Sequence, residues 1–283
     1  MMAKMSEEIS SMTSLIRSSS QPPFNQLYLE SPDELKRAVH EWEQGVKDTI
    51  TYNVGSEIVL APGTAPGGPN VGKPVFQYKK EPFTHITEGG LMVAESVNCV
   101  SFIPGGYRDA DTVNTMNPVR EDIGGNSSLM SLVHVLTIPK SQRIYNAATL
   151  KPEHKELLKE MKELGERSVK ILMEADVSMI GSLPWIYRQG GELLMKDGST
   201  KSTQVVMTDL SPSSQKNFGK PMKGYNIRNS FHVYPTASIG WLHLHSYVSD
   251  LLTTAHDSME WGEASTGGRK NTPYEYVYKN ISN

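Results

Sequence analysis

Residues 151–175 constrain the fold most, because they spell one long helix with a start signal and a single apolar stripe. Pro152 stands in its first turn, and Leu157, Met161, Leu164 and Leu172 recur at helical spacing. Glu163 and Arg167 fall i,i+4 on the outer side, a favourable pair. An apolar stripe of this length needs a cover, and the neighbouring segments have strand character. Residues 131–138 (SLVHVLTI), ended by Pro139, are the strongest strand signal in the chain. Residues 225–234 and 242–248 read as two more strands, joined by 235–240 (PTASIG). A long helix laid against an antiparallel sheet is an α+β arrangement.

The flanks are less patterned. Residues 1–30 read as a leader ending at Gln21-Pro22-Pro23. Ser31 as N-cap, Pro32 at the first helical position and the acids Asp33 and Glu34 predict a helix with Leu35, Val39, Trp42 and Val46 on one face. Short strands follow at 50–53 and 57–60, then a Gly/Pro-rich loop (61–74) and a strand at 75–78. Residues 92–103 read as one strand with Val93, Val97, Val100 and Phe102 in the core, and 104–128 as a long polar loop. Residues 188–224 read as a hairpin or insertion with a polar Ser-Pro-Ser-Ser loop. The last thirty residues, with Tyr274, Tyr276 and Tyr278, read as an arm packed on the body or on a partner. The expected division is an N-terminal leader and arm (1–90), a central domain (91–250) and a C-terminal arm (251–283).

Composition narrows the function classes. A chain of 283 residues, 37% hydrophobic and 21% charged, can bury a sizeable core. Its formal net charge of −3 argues against non-specific nucleic-acid binding or a polybasic membrane surface. Cys99 is the only cysteine, which excludes an intramolecular disulfide and any zinc site needing two thiolates. No run approaches the length of a membrane span, and the first twenty residues, with Lys4, Glu7, Glu8 and Arg17, lack the apolar core of a signal peptide. The expectation is a cytoplasmic protein without membrane contact.

Gly67 to Lys73 has the spacing of a phosphate-binding loop. Pro74 stands where a Ser or Thr would be needed and a strand follows, so the segment reads as a plain connection. The eight histidines are more informative. His40, His154 and His256 read as solvated, His85 lies in a loop, and His232 sits on a strand as a core or a site residue, with core preferred. His243 and His245 alternate on one strand, so they share a face with Trp241 and Tyr247. Such a pair can bind a metal with a third ligand from His134 or His232, pack structurally, or perform phosphoryl chemistry with one imidazole as nucleophile. No HExxH or similar ligand spacing is present, and no metal is assigned.

The block Trp241-Leu242-His243-Leu244-His245-Ser246 resembles the active-site strand of the histidine triad superfamily, in which histidine alternates with apolar residues three times. His134-Val-Leu-Thr-Ile-Pro139-Lys140 resembles the strand of that family that carries its fourth histidine before Pro-Lys. The order of strand, long helix, insertion and paired strands agrees over residues 92–250. Ser238 takes the place of the family's loop serine, Trp241 the first triad position, His243 the central one and His245 the third. An alternative register makes His243 first, His245 central and Tyr247 third. Trp241 departs from the pattern, since an indole accepts no hydrogen bond. The arms and the loop at 235–240 are loosely similar to the scavenger decapping branch.

This resemblance implies an α+β, histidine-triad-like antiparallel sheet and a homodimer, with Tyr274, Tyr276 and Tyr278 as added apolar surface. It implies hydrolysis or nucleotidyl transfer on a nucleotide or other small phosphate ester through a covalent nucleotidyl-histidine, with no metal or other cofactor. His243 would attack, His245 and His134 would orient it, and Ser238, Trp241 and Lys140 would contact substrate. One nitrogen of His243 is expected to be held as N–H by a backbone carbonyl near the same strand. A weakened nucleotide-binding protein and a related scaffold acting on a non-nucleotide substrate are the rival expectations.

Overall fold

A computed structural model describes residues 23–62, 92–103, 130–131, 133–174, 185–188, 192–195, 200–201, 211–216, 224–235, 240–252 and 271–281. The expected strand at 75–78, the loops at 67–73 and 104–128, Ser238, His85 and His256 lie outside the described residues.

The centre is a six-stranded antiparallel sheet in the order β11-β9-β10-β5-β4-β3. Its strands are β3 (Met92–Glu95), β4 (Cys99–Phe102), β5 (His134–Pro139), β9 (Ile227–Phe231), β10 (Leu244–Val248) and β11 (Thr272–Pro273). The fold is α+β, with the long helix α3 (Lys155–Glu174) across one face. A short 3-10 turn at Pro152–His154 leads into α3, and the predicted stripe residues Leu157, Met161, Leu164 and Leu172 are all buried. Leu157, Met161 and Leu164 join Phe231 and Leu244 in one apolar cluster. Gly165 brings the helix close to the sheet: a Cβ there would meet the Ser246 hydroxyl and stand 3.1 Å from Thr137 Oγ1. No helix among the described residues is long and apolar enough to cross a membrane.

The opposite face is covered from the N-terminus. After a single turn, α1 (Gln26–Leu29), helix α2 (Asp33–Glu43) buries Leu35, Ala38, Val39 and Trp42. These residues pack with Val100, Phe102, Leu136, Ile138 and Trp241, the side chains that alternate toward that face. Two polar clasps fix the helix. The Glu43 carboxylate accepts from Tyr145 N (2.9 Å) and Thr149 Oγ1 (2.6 Å). Arg143 reaches the Lys47 carbonyl (3.1 Å) and the Asp48 carboxylate (2.9 Å). A hairpin of β1 (Thr51–Val54) and β2 (Glu57–Leu60) follows, turning at Gly55, whose φ of 62° suits glycine.

Several local expectations need correction. Helix α2 starts at Asp33 with no side-chain cap, because the Ser31 hydroxyl instead donates to the Tyr28 carbonyl (2.6 Å), which also accepts from Ser31 N. It stops before Val46, which is 72% exposed, because Gly45 takes a left-handed φ of 73°. Residues 92–103 form a hairpin, not one strand, and Val97 sits at its tip, 87% exposed. Glu160 of α3 holds that tip, accepting from Ser96 Oγ (2.6 Å), Asn98 N and Asn98 Nδ2 (both 2.8 Å). Arg167 donates to the Glu95 carbonyl (3.1 Å), which ties this side chain to the hairpin. His154 is buried and accepts from Lys151 N (3.0 Å), closing the start of the long helix, where a solvated side chain was expected.

Within the insertion, β6 (Trp185–Arg188), β7 (Glu192–Met195) and β8 (Thr200–Lys201) make a separate antiparallel sheet, as the hairpin reading expects. The Ser-Pro-Ser-Ser segment is not a loop: Ser211 caps the turn α4 (Pro212–Gln215) by accepting from Ser214 N. At the C-terminus, β11 adds to the sheet edge and α5 (Tyr274–Asn280) packs on it. Tyr274 stacks on Phe231 and Tyr278, and Tyr276 meets Phe24 edge-on. The three tyrosines offered as dimer surface are therefore engaged within the chain itself.

Candidate functional site

The antiparallel register assembles the site. Leu244 pairs with Phe231 and His245 with Ser230, so the next pair outward sets His243 across from His232. On the other side of β10, Leu136 pairs with His245 and His134 with Tyr247. With side chains alternating, His134, His232, His243 and His245 all stand on the face opposite α3. Their ring centroids confirm the grouping: 4.0 Å for His232–His245, 5.0 Å for His243–His245, 5.7 Å for His232–His243 and 5.0 Å for His134–His245. All four are buried.

Two contacts fix the orientation of the central rings. His243 Nδ1 lies 2.7 Å from the Trp241 carbonyl oxygen. A carbonyl can only accept, so Nδ1 carries the proton and Nε2 bears the lone pair in the neutral ring. Burial pushes the His243 imidazole below its ordinary range; the Trp241 carbonyl works in the opposite direction without cancelling it. The net shift favours the neutral ring. The expected carbonyl holder of His243 is the one two residues back on its own chain. His134 Nε2 and His245 Nδ1 are 2.9 Å apart, so one donates and the other accepts. The direction of that bond decides whether His245 Nε2 bears a hydrogen or a lone pair.

Compared with known proteins, the chain matches no family model and no curated protein.

The remaining residues singled out from the sequence are placed as follows. The indole of Trp241 is buried in the N-terminal apolar cluster, edge-on to Trp42 at 5.5 Å, with Nε1–H donating to the Pro139 carbonyl (3.2 Å). Its backbone carbonyl, not its ring, is the part that touches His243. Lys140 pairs with Glu95 (2.8 Å) and donates to the Ser96 carbonyl (2.6 Å), which ties it to the β3–β4 turn. Tyr247 meets His134 edge-on at 6.1 Å. A polar groove of about 360 Å³ lies elsewhere, lined by Lys162, Glu166, Arg228, Asn271 and Glu275 among others; none of the four histidines lines it.

His232 is buried, as the core preference expects, and it also stands beside His243 and His245. Its signal was arithmetic: in a pair of antiparallel strands joined through 235–240, one fixed register sets 232 against 243. Ligand nitrogens of His232, His243 and His245 lie within 4.8 Å of one another, so these three are the candidates to hold a metal.

Proposed function

We propose that the chain is a nucleotide hydrolase or nucleotidyl transferase of histidine-triad type, working through a nucleotidyl group carried on His243. The observation that carries this reading is the 2.7 Å contact between His243 Nδ1 and the Trp241 carbonyl, which leaves Nε2 as the attacking nitrogen on a ring that burial keeps neutral. In the first step Nε2 bonds to the α-phosphorus, and the bond from phosphorus to the leaving group breaks with its electron pair going to that group, which takes a proton from water. As positive charge develops on the imidazole, the Nδ1–H bond to the carbonyl strengthens, an interaction larger in the transition state than in the ground state. With His134 donating to His245, His245 Nε2–H points a donor toward phosphate oxygen. Water, or another hydroxyl acceptor, then attacks phosphorus and gives its proton to solvent, and the P–N bond breaks with its electron pair returning to Nε2, restoring neutral His243.

The experiment is to trap the intermediate. Incubation with a dinucleoside polyphosphate or a nucleoside phosphoramidate, followed by rapid quench and peptide mass spectrometry, should find an acid-labile nucleotidyl adduct on His243. An adduct on His245 would shift the register by two residues. Turnover of these substrates with no histidine adduct would refute the covalent mechanism. One observation favours a second reading, a nucleotide-binding protein with weakened catalysis: the first triad position holds an indole committed to the core against Trp42. Binding of the same substrates without turnover would select it.

A further inference from the structure

We propose that His232, His243 and His245 form a binding site for one divalent transition-metal ion of the zinc class. The three imidazoles offer nitrogens within 4.8 Å of one another, His245 on β10, His243 just before that strand and His232 just after the paired strand β9. A tetrahedral zinc ion with Zn–N of roughly 2.0–2.1 Å places its ligand nitrogens ~3.4 Å apart, so small rotations of the rings close the set onto an ion. Three imidazoles leave a fourth position for water or an anion. The group contains only nitrogen donors and no carboxylate, which selects zinc, copper or nickel over magnesium or calcium.

The surroundings supply what such a site needs beyond its ligands. A metal-bound histidine is usually oriented by a hydrogen bond from its other nitrogen to a carbonyl or similar acceptor. His243 has that bond already, from Nδ1 to the Trp241 carbonyl, which directs Nε2 to the ion. His245 acquires it when its Nδ1–H donates to His134 Nε2 at 2.9 Å, the direction that frees the Nε2 lone pair for coordination. The metal-bound and phosphate-bound forms therefore require opposite directions of the same His134–His245 bond. His134 is a positioning residue for the ion and not a ligand.

The metal site does not rest on the nucleotidyl reading. Where both hold, they exclude each other, because an ion on His243 Nε2 occupies the lone pair that would attack phosphorus. Zinc is then an inhibitor of the reaction and not its cofactor.

The test uses the whole chain freed of metal with a chelator. Zinc sulfate is titrated calorimetrically, and cobalt is added as a spectroscopic probe. One ion per chain should bind, with the intense visible bands of tetrahedral cobalt. His232→Ala should weaken zinc binding by roughly a hundredfold or more, and His134→Ala by ~10–100-fold with the tetrahedral spectrum kept. His40→Ala, on exposed α2 surface, should leave affinity unchanged. Should His232→Ala fail to fold, long-range proton–nitrogen spectra of the wild-type chain replace it. Zinc should then move the ring nitrogens of His232, His243 and His245 but not those of His40. No binding at micromolar zinc, a weak octahedral cobalt spectrum, undiminished affinity in a folded His232→Ala, or unmoved His232 nitrogens would each overturn the proposal.

Discussion

Gly165→Ala tests how the strand that carries His243 and His245 is seated on its supporting helix. A methyl group at Gly165 would intrude on Ser246 Oγ and lie 3.0 Å from Ser246 Cβ and 3.1 Å from Thr137 Oγ1. Intrinsic propensity works the other way, since alanine is the better helix former by about 1 kcal/mol. Overpacking of this kind costs about 1–3 kcal/mol. Turning the Ser246 hydroxyl aside also gives up its 2.7 Å bond to Asn229 Oδ1, a loss of about 1 kcal/mol. The propensity gain and the lost hydrogen bond offset each other, leaving a net destabilisation of about 1–3 kcal/mol. Urea unfolding followed by circular dichroism should show a lower midpoint with an unchanged slope. In a Ser246→Ala background the cost of Gly165→Ala should shrink, because the hydroxyl it strikes is gone. A Gly165→Ala chain as stable as the wild type, or a cost untouched by Ser246→Ala, would refute the close approach of helix and strand.

Four further outcomes are expected. In a turnover assay on the substrate identified by trapping, His243→Ala should lose about a thousandfold or more, several kcal/mol of barrier. His245→Ala should lose less, and the reverse order would assign the nucleophile to His245. Trp241→Phe keeps an aromatic ring against Trp42 but removes the indole donor to the Pro139 carbonyl, so a loss of about 1 kcal/mol is expected by thermal unfolding. Burial holds His154 below its ordinary range, so as pH falls through about 6.5 the unfolded chain takes up a proton that the folded chain refuses, and stability drops. That drop should be smaller in His154→Gln, measured as the melting temperature between pH 7 and pH 5.5. Burial raises the Cys99 thiol to about 12, so iodoacetamide should label it in the folded chain only at the rate of opening, and much faster in urea.

The long helix, the paired strands and the shared face of His243 and His245 were legible in the sequence, because each is a periodicity and periodicity survives without tertiary knowledge. What was not legible depended on partners distant in the chain. Val97 carries the same apolar signal as Val100, but a turn held by Glu160, more than sixty residues on, puts it in solvent. Ser31 has the composition of a cap, yet the Tyr28 carbonyl competes for its hydroxyl. His232 is the core residue its sequence context suggests, but its closeness to His243 comes only from the pairing of strands. The tyrosines of α5 look like apolar surface in sequence, yet Tyr274 packs on Phe231 of the sheet, Tyr276 on Phe24 and Tyr278 on Tyr274.

Trp241 links two regions that share no chemistry. Its carbonyl holds His243, while its indole is wedged against Trp42 on a helix about two hundred residues earlier in the chain. Local opening of α2 therefore loosens the aim of His243, and anything that binds at His243 draws α2 closed by the same free energy. Amide hydrogens at residues 35–43 should exchange more slowly when the distant histidines are occupied. Fluorescence from the Trp42–Trp241 pair should shift in step, a signal of occupancy that needs no added label.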